Sequence, residues 1–464
     1  MKKAASLILL LVVLASMVSC VRQSKGPADL EYTVGGTALE HTDELVVYFI
    51  PLMQRAFFDK TVEIFKEEHP TVNLIVEEFD LMSSNLVDDT TALQRQEQAK
   101  TRMLTELLAG TGPDIIVWFG NVPFGDLEKV MDIDIFEDLN PFFTADETFN
   151  YDEYIRGVFD AGQRGGKRLF VPISYLAPFK LTTVEAMNHY NVYFKKDMDF
   201  EHYAQELKKV YEQIETDDSR WFSNDYDSLL TYLYYLAGFR YVDYEHEVVC
   251  IDSAQLKTFL DAYGPFIELV KYRTERGIKP PQFNMGFESA SLNGKRLEMH
   301  FDYVGLDNFI IEFLRLLESG QTPMVYAMPR VDGGKTAAYA CNNAAVGKNS
   351  KNKVNAYEFM KLLLSEETYV PDNFPNTPFS VRMGSTERRL EKDAEMYIRE
   401  HQLEAWNQIS EDYLSIVTDV ELVLRSSGII NMVNDSMTPY ISGEKPYDEC
   451  FNELDKKLRF YISE

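Results

Sequence analysis

The stretch AGTGPDIIVWFG, from Ala109 to Gly120, decides the fold. Its first half, AGTGP, ends the helix that precedes it, because glycine and proline interrupt helices. DIIVWF is a short continuous apolar run bounded by turn residues, which predicts a strand covered on both faces. Ligands of open α/β sheets lie beyond the carboxyl ends of the strands, so we expect Trp118 to form part of a binding surface. The alternative is that Trp118 packs in the core.

Two more strands precede this stretch, each followed by a helix. ELVVYFI at 44–50 and VNLIVEEF at 72–79 are apolar enough for strands. Apolar residues recur at helical spacing over 53–70 and over 91–110. The resulting β-α-β-α-β order predicts a parallel, right-handed α/β sheet.

The rest of the chain is richer in helix. Helical patterns cover 198–214, 228–238 and 254–277, and the last eighty residues are predicted to be nearly all helical. Shorter apolar pieces, which predict strands, interrupt the helices: KRLFVPIS (167–174), RLEMHFDYV (296–304) and MVYAMP (324–329). A chain of this length is more than one core usually fills, so two lobes are expected.

The N-terminus has the pattern of a secretory signal. Two lysines precede an apolar run too short to span a bilayer, and the run breaks at Ser19-Cys20. This order resembles the lipobox of bacterial lipoproteins, which predicts a signal peptide over 1–19 and lipidation of Cys20. The alternative is an ordinary signal peptide with a chance cysteine. Residues 20–43 are polar and without period, which predicts a flexible tether on the outer face of the cell membrane.

Charge and cysteine usage exclude several classes of function. The net charge of −28 argues against binding nucleic acid or an anionic lipid surface, so contact with the membrane is expected through the lipid alone. Cys250, Cys341 and Cys450 remain after lipidation, an odd number at wide spacings that predicts no disulfide framework. The seven histidines show no metal-ligand spacing, so neither a metal nor another cofactor is expected.

Signals of catalysis are weak. VDGGKT at 331–336 ends like a phosphate-binding loop, but Pro329 stands where that motif needs a glycine. No Gly-x-Ser-x-Gly motif occurs, and 74 acidic residues make close carboxylate pairs inevitable by chance. We therefore predict that the protein is not an enzyme.

Several pieces, in this order, resemble extracellular solute-binding proteins of family 1, the sugar-type receptors of ABC importers such as the maltodextrin-binding ones. They are PTVNLIVEEF, AGTGPDIIVWFG and FEDLNPFF, then GKRLFVPIS, LNGKRLEMHFDYV, AAVGKNSKNKVNAYEFMKLLLSEE and YISGEKPYDECFNELDKKL. The resemblance covers about residues 44–464. It implies an α/β fold of the type II periplasmic-binding-protein kind, with two lobes and a ligand cleft between them.

The resemblance also implies how the chain is divided. The N-terminal lobe is expected to comprise 44–172 plus 304–370, and the C-terminal lobe 173–303 plus 371–464. Pro172–Tyr175 and Phe301–Tyr303 are expected to be the hinge crossings. Movement about such crossings can close a cleft on a ligand without any nucleophile or metal.

Ligand contacts are expected from aromatic rings, which pack on the C–H faces of sugars, and from carboxylates and amides, which bond hydroxyls. Asp225 has a structural alternative, since it would also cap the helix that follows it. The candidate ligand-binding residues are Trp118, Asn121, Tyr175, Asp225, Tyr226, Asp302, Tyr303, Asn342 and Gln54.

Together these features predict a monomeric substrate-binding lipoprotein that captures a carbohydrate, most plausibly an oligosaccharide, and delivers it to the permease subunits of an ABC importer. Two alternatives remain open from the sequence. One is a surface lipoprotein that presents a ligand to a sensor, and the other is an extracellular enzyme acting on polysaccharides.

Overall fold

The structure is a computed structural model of the whole chain. It describes residues 32–34, 37–39, 42–50, 55–79, 81, 90–120, 123–211, 237–262, 264, 268, 288–292, 295–301, 306–327, 329–368, 378–424 and 426–463.

Seventeen strands lie in the described ranges. They are β1 (Tyr32–Val34), β2 (Thr37–Leu39), β3 (Glu44–Phe49), β4 (Asn73–Glu78), β5 (Ile115–Phe119), β6 (Gln163–Arg164), β7 (Lys167–Arg168), β8 (Val171–Leu176), β9 (Phe179–Thr183), β10 (Val242–Asp243), β11 (Val248–Val249), β12 (Glu288–Leu292), β13 (Lys295–Phe301), β14 (Pro323–Ala327), β15 (Thr336–Val346), β16 (Phe379–Ser380) and β17 (Val420–Leu422).

Fourteen α-helices lie in the same ranges. They are α1 (Ala56–Glu68), α2 (Thr90–Ala109), α3 (Leu127–Met131), α4 (Asn140–Ala145), α5 (Arg156–Phe159), α6 (Val184–Tyr190), α7 (Phe200–Tyr211), α8 (Ser253–Ala262), α9 (Leu306–Glu318), α10 (Lys353–Leu363), α11 (Ser385–Tyr397), α12 (Leu403–Thr418), α13 (Ser427–Ile441) and α14 (Tyr447–Ser463).

The predicted β-α-β-α-β unit is confirmed. β3 pairs in parallel with β4 on one side and with β5 on the other, and α1 and α2 connect them. The first helix ends where the sequence indicates, since the N–H of His69 donates to the carbonyl of Phe65 at 2.8 Å and Pro70 follows. Pro70 cannot continue the ladder of helical hydrogen bonds.

A strand that the sequence pattern did not reveal completes this first sheet. β15 runs antiparallel between β5 and β8, and every one of its eleven residues is buried. The strand order is β16-β8-β15-β5-β3-β4, with β17 also pairing with β15. The sheet therefore combines strands from all three thirds of the chain, with β8 from the middle third.

A second sheet has the order β12-β13-β9-β14, with all neighbours antiparallel. The chain passes from the first sheet to the second between Leu176 and Phe179. Pro172–Tyr175 thus lies inside a strand of the first sheet rather than at the crossing, and the expected lobe boundary at 172/173 falls within β8. Pro323–Ala327, which the sequence assigned to the N-terminal lobe, pairs in the second sheet.

The described residues form three apolar cores. The first covers one face of the first sheet and continues over one face of the second, against α9 and α12. The other face of the first sheet packs in a smaller core with α2 and α3, called here the Trp118 core. A third core, the helical core, joins α7, α8, α13 and α14 to β14 of the second sheet and to β8 and β15 of the first sheet. The predicted helical C-terminal region is confirmed by α11–α14, apart from the short strand β17.

Candidate functional site

The indole of Trp118 lies in the core. It has no exposed surface, is stacked on Phe136 with ring centroids 6.1 Å apart, and meets Phe124 edge-on at 5.3 Å and Phe170 at 5.8 Å. Its Nε1 donates to the carbonyl of Gly120 at 3.1 Å. The prediction that this ring lines a cleft is therefore corrected, and the alternative of a core residue agrees with the structure.

Gly120 ends β5 and borders a space that no described residue fills. Its φ of 56° lies in the left-handed region, and a Cβ placed there would meet no atom of the described part of the chain within 4 Å, its chain neighbours aside. The carbonyl accepts hydrogen bonds from Trp118 Nε1 and from Asn343 Nδ2, both at 3.1 Å, and the N–H donates to Cys341 O at 2.6 Å. The core thus fixes the turn that ends β5, beyond the carboxyl end of the parallel strands.

The side chains of Tyr175 and Asn342 also lie in the interior of the protein. Tyr175 has no exposed surface, and its hydroxyl donates to Val417 O at 2.6 Å. Asn342 is buried, and its Nδ2 donates to Ser174 Oγ at 2.7 Å. The expected stacking platform at Tyr175 is corrected, because its ring is covered by protein in this structure.

The other candidate residues lie outside the described residues, so their ligand contacts stay predictions. They are Gln54, Asn121, Asp225, Tyr226, Asp302, Tyr303 and the lipidation site Cys20.

Asn343 was missed by the sequence analysis. It is fully buried opposite Trp118 in the β15–β5 ladder. Its Nδ2 is bonded to Gly120 O, whereas no described residue donates to its Oδ1. The sequence does not indicate which of the successive asparagines 342 and 343 supports the turn. That depends on the register of β15, a strand that was not predicted.

A buried carboxylate lies just after this turn. Asp126 is 7% exposed, and its Oδ1 accepts the N–H groups of Glu128 at 3.1 Å and Lys129 at 3.3 Å, which caps α3. Its Oδ2 accepts the hydroxyls of Tyr244 and Tyr461, each at 2.5 Å. One carboxylate thus receives four donors from three separate parts of the chain, and we call this cluster the Asp126 joint.

The last helix adds further contacts to the Asp126 joint. The carbonyl of Tyr461 accepts from Lys129 Nζ at 2.6 Å. The same ammonium group lies 3.8 Å from the centre of the Tyr461 ring. The hydroxyl of Tyr461 also lies 3.1 Å from Ser426 Oγ. A Cβ on Gly428 would come within 2.8 Å of the tyrosine ring, so the close approach requires a glycine there.

Burial and the Asp126 carboxylate keep both phenols protonated. Burial is the main cause that raises the pKa of Tyr461 to about 12, and its hydrogen bond to Asp126 adds to it. The pKa of Tyr244 is raised by burial first and by the charge of Asp126 next. Both hydroxyls are therefore hydrogen-bond donors throughout the neutral range.

Glu128 has an unusual titration. Burial, and then the charge of Asp126, raise its pKa from 4.5 to about 7, against the opposing effect of the Arg164 guanidinium. The nearest Arg164 nitrogen is 3.8 Å from its Oε1. Between about pH 4.5 and pH 7 the folded protein therefore keeps a proton on Glu128 that the unfolded chain has already released. The contribution of this group to folding stability is present below about pH 4.5 and is lost as the pH rises to about 7.

We expect Glu128→Gln to remove that pH dependence. At pH 8 the variant should be about 1 kcal/mol more stable than the parent, a value reduced for screening because the side chain is 36% exposed. At pH 5 the two should unfold with nearly equal free energy. Urea unfolding at both pH values measures this, with Glu97→Gln on the exposed face of α2 as control. An equal stability difference at both pH values would refute the assignment.

The structure contains a cavity of about 290 Å³ at the opposite edge of the first sheet, near the amino ends of β3 and β5. Its lining includes Asp114, whose Oδ1 accepts from Ser350 Oγ and whose Oδ2 accepts from Val46 N and Asn352 Nδ2. The carboxylate is satisfied within the chain, so this cavity is not the candidate site. In the described ranges no group of histidine, cysteine or carboxylate side chains could hold a metal ion.

Within the same ranges, every helix is too short or too polar to cross a bilayer.

Comparison with solved structures identifies the type of fold. No family model matches the chain, and no curated protein sequence matches it. Solved structures do match, among them an extracellular solute-binding protein of family 1 from Alicyclobacillus acidocaldarius, with 11% identity, a TM-score of 0.54, and coverage of 92% of this chain and 100% of that one.

Two sugar-binding structures are similar to the same extent. The sugar-binding protein MalE from Xanthomonas citri has 14% identity and a TM-score of 0.56, covering 90% of this chain and 97% of its own. The cyclic α-maltosyl-1,6-maltose binding protein from Arthrobacter globiformis has 13% identity and a TM-score of 0.54, covering 90% and 98%. The predicted fold class, α/β of the type II periplasmic-binding-protein kind, is confirmed, and so is the resemblance at the level of the fold.

Proposed function

We propose that this protein is an extracellular substrate-binding lipoprotein that captures a carbohydrate and delivers it to the permease of an ABC importer. The single observation that carries the proposal is the fold, which matches sugar-binding proteins over 90% of the chain. The protein acts by binding and release, without catalysis, and works as a monomer held to the membrane by lipid alone.

The geometry around Gly120 supports a ligand position at the carboxyl edge of the first sheet. Among the described residues none fills the space beside that turn, and the core holds the turn in place through Trp118 and Asn343. A rigid turn next to a cleft lowers the entropy lost when a ligand orders its contacts. Asn121, the next residue, is the proposed contact on this side, with Asp225, Tyr226, Asp302 and Tyr303 on the other.

A thermal-shift screen tests the proposal. Maltotriose and mannotriose are the first probes, because neighbouring structures bind a cyclic maltosyl sugar and mannotriose. A ligand at about 100 times its dissociation constant adds about 2.7 kcal/mol to the free energy of unfolding, which raises the melting temperature measurably. A tripeptide serves as control. Stabilisation by the peptide, with none by any oligosaccharide tried, would contradict a carbohydrate ligand.

The lipid anchor predicts a change of location. With Cys20→Ser, the protein should move almost entirely from the membrane fraction to the medium or accumulate as an uncleaved precursor, because the acceptor sulfur is lost. Fractionation followed by immunoblotting measures this, and Ser19→Ala is the matched control. Processed protein that still needs detergent for extraction after Cys20→Ser would refute lipidation at this residue.

A further inference from the structure

Part of the segment before β3, which the sequence predicts to be a flexible tether over 20–43, forms a hairpin. β1 and β2 pair in antiparallel fashion, and their partners are Tyr32 and Leu39, Thr33 and Ala38, and Val34 and Thr37. In the sequence two glycines, at 35 and 36, separate the strands, and glycine is favoured in tight hairpin turns. The expectation of a flexible tether is therefore corrected for β1 and β2.

The hairpin contacts the body of the protein at α4. β1 lies against this helix. A hairpin of two strands is at best marginally stable alone in water, so contact with another element favours its persistence. α4 is a fixed surface, because Phe142 and Phe143 are buried in the first core and Phe142 is stacked on Tyr357 of α10, with ring centroids 5.4 Å apart.

α10 also fixes the chain after the hairpin. Nδ2 of the fully buried Asn355 donates to Thr42 O at 2.9 Å and to Glu44 O at 3.1 Å. The N–H of Asn73 donates to Asp43 O at 2.8 Å. We call residues 32–43 the strap, since this segment is held both at α4 and at the start of β3.

Both contacts lie on the amino-edge side of the first sheet. The segment that leads into α4 is bonded to the end of β15, where Glu137 N donates to Val346 O at 2.9 Å. Val346 is paired with Ile115, at the amino end of β5. Thr42 precedes β3 at the same edge, whereas Gly120 follows β5 at the opposite, carboxyl edge.

We infer that the strap docks on α4 and α10 to fix where the lipid tether leaves the protein, so that the amino edge faces the membrane and the ligand edge faces away from it. The inference rests on the lipid anchor of the proposed function, but not on the identity of the ligand.

Docking shortens the free tether from residues 20–43 to residues 20–31. A free tether of about 12 residues reaches at most about 40 Å when fully extended, against about 80 Å for about 24 residues. The root-mean-square reach falls from about 27 Å to about 20 Å. A short tether that starts at α4 keeps this side of the protein near the bilayer.

Two spin labels test the docking. One is on Thr37→Cys in β2 and the other on Thr144→Cys, at an exposed position of α4, in the chain that begins at residue 20. Cys20→Ser and Cys250→Ser remove competing thiols, and the other two cysteines are buried. We expect dipolar broadening of the spectrum, which requires the labels to be close together. Hydrogen exchange of the unlabelled chain should be slower in 32–43 than in 20–31.

A proline in the strap should release it. Val34→Pro removes a backbone N–H from β1 and should abolish the broadening, because proline disrupts strand pairing. Ser24→Pro is the matched control, since it makes the same change outside the strap and should leave the broadening intact. Circular dichroism checks that both variants remain folded.

Energy transfer to vesicles tests the orientation. Cys20 is coupled to a maleimide lipid in phosphatidylcholine vesicles, with Cys250→Ser, so the test does not depend on lipidation in the cell. A donor dye is attached at Thr144→azidohomoalanine, and an acceptor dye is on the lipid. Because the reach of the tether grows on release, transfer should fall about twofold in Val34→Pro and stay unchanged in Ser24→Pro.

Absence of broadening in the parent, with exchange as fast in 32–43 as in 20–31, would overturn the docking. A docked strap with equal energy transfer in the parent and Val34→Pro would overturn its role in orientation. A cell fractionation that refutes lipidation at Cys20 would refute the anchor of the proposed function but not the docking, since both measurements of docking use protein without lipid.

Discussion

Trp118→Ala should lower the free energy of unfolding by about 3–5 kcal/mol in the absence of ligand, as truncations of large buried aromatics do. The indole is fully buried and meets three phenylalanine rings, so its removal leaves a cavity inside the Trp118 core. It also takes away the donor to Gly120 O. Urea unfolding followed by circular dichroism measures the change.

Trp118→Phe separates packing from the hydrogen bond. It keeps an aromatic ring in the core but has no donor for Gly120, so we expect a smaller loss of about 1–2 kcal/mol. Tyr193→Ala, at a ring that is 63% exposed, is the control and should change stability by less than about 0.5 kcal/mol. If Trp118→Ala left the unfolding midpoint unchanged while it weakened oligosaccharide binding, the ring would belong to the ligand site after all.

The sequence placed Trp118 wrongly for a reason that the strand itself explains. Successive side chains of a strand point to opposite faces, and Ile116 and Trp118 share one face, packed with α3 in the Trp118 core. Ile115 and Val117 point to the other core. Trp118, the second-last residue of β5, is still fully covered, whereas the last residue, Phe119, is only partly buried, so the open edge lies at Gly120. The edge beyond the carboxyl end of β5, where ligands are expected in such sheets, therefore lies two residues after Trp118.

Strong local patterns made part of the fold predictable. Apolar runs between glycine or proline residues marked β3, β4 and β5, and helical spacing marked α1 and α2. The central strand β15 has neither signal, because TAAYACNNAAV is rich in alanine and asparagine, which have low strand propensity. Neighbouring strands and the cores above and below determine its structure, and its small side chains Ala344 and Ala345 are fully buried there. A short stretch of sequence does not reveal tertiary contacts of that kind.

The site was predictable to a smaller extent for the same reason. The Asp126 joint joins residues 126, 244 and 461, which no spacing rule connects. Asp126 caps α3 and also accepts the two phenol hydroxyls, and the sequence pattern predicted neither role. Tyr461 lies in a helix whose apolar pattern predicts packing, and its contact with a carboxylate becomes visible only when the cores are assembled.

Asp114→Ala should cost about 3–5 kcal/mol of unfolding free energy, because this carboxylate joins the start of β5 to two other segments. It accepts from the N–H of Val46 in β3 and from Ser350 and Asn352 before α10. Each hydrogen bond to a charged group contributes about 1.5–3 kcal/mol, and the contributions are not additive. Without the carboxylate, the Val46 N–H loses its partner beside a sheet that needs it.

Asp114→Asn tests whether charge or shape is needed at this position. With its carbonyl turned toward Val46 and Asn352, the amide keeps two acceptor contacts, while the Ser350 hydroxyl can rotate to accept from the new NH₂. The loss should therefore fall to about 1–2 kcal/mol, the difference between charged and neutral acceptors. Asp134→Ala, which removes an exposed carboxylate 3.3 Å from Lys348, should cost less than about 1 kcal/mol. If Asp114→Ala cost no more than Asp134→Ala, the carboxylate of the opening stretch would be dispensable, and β5 would owe its position to apolar packing alone.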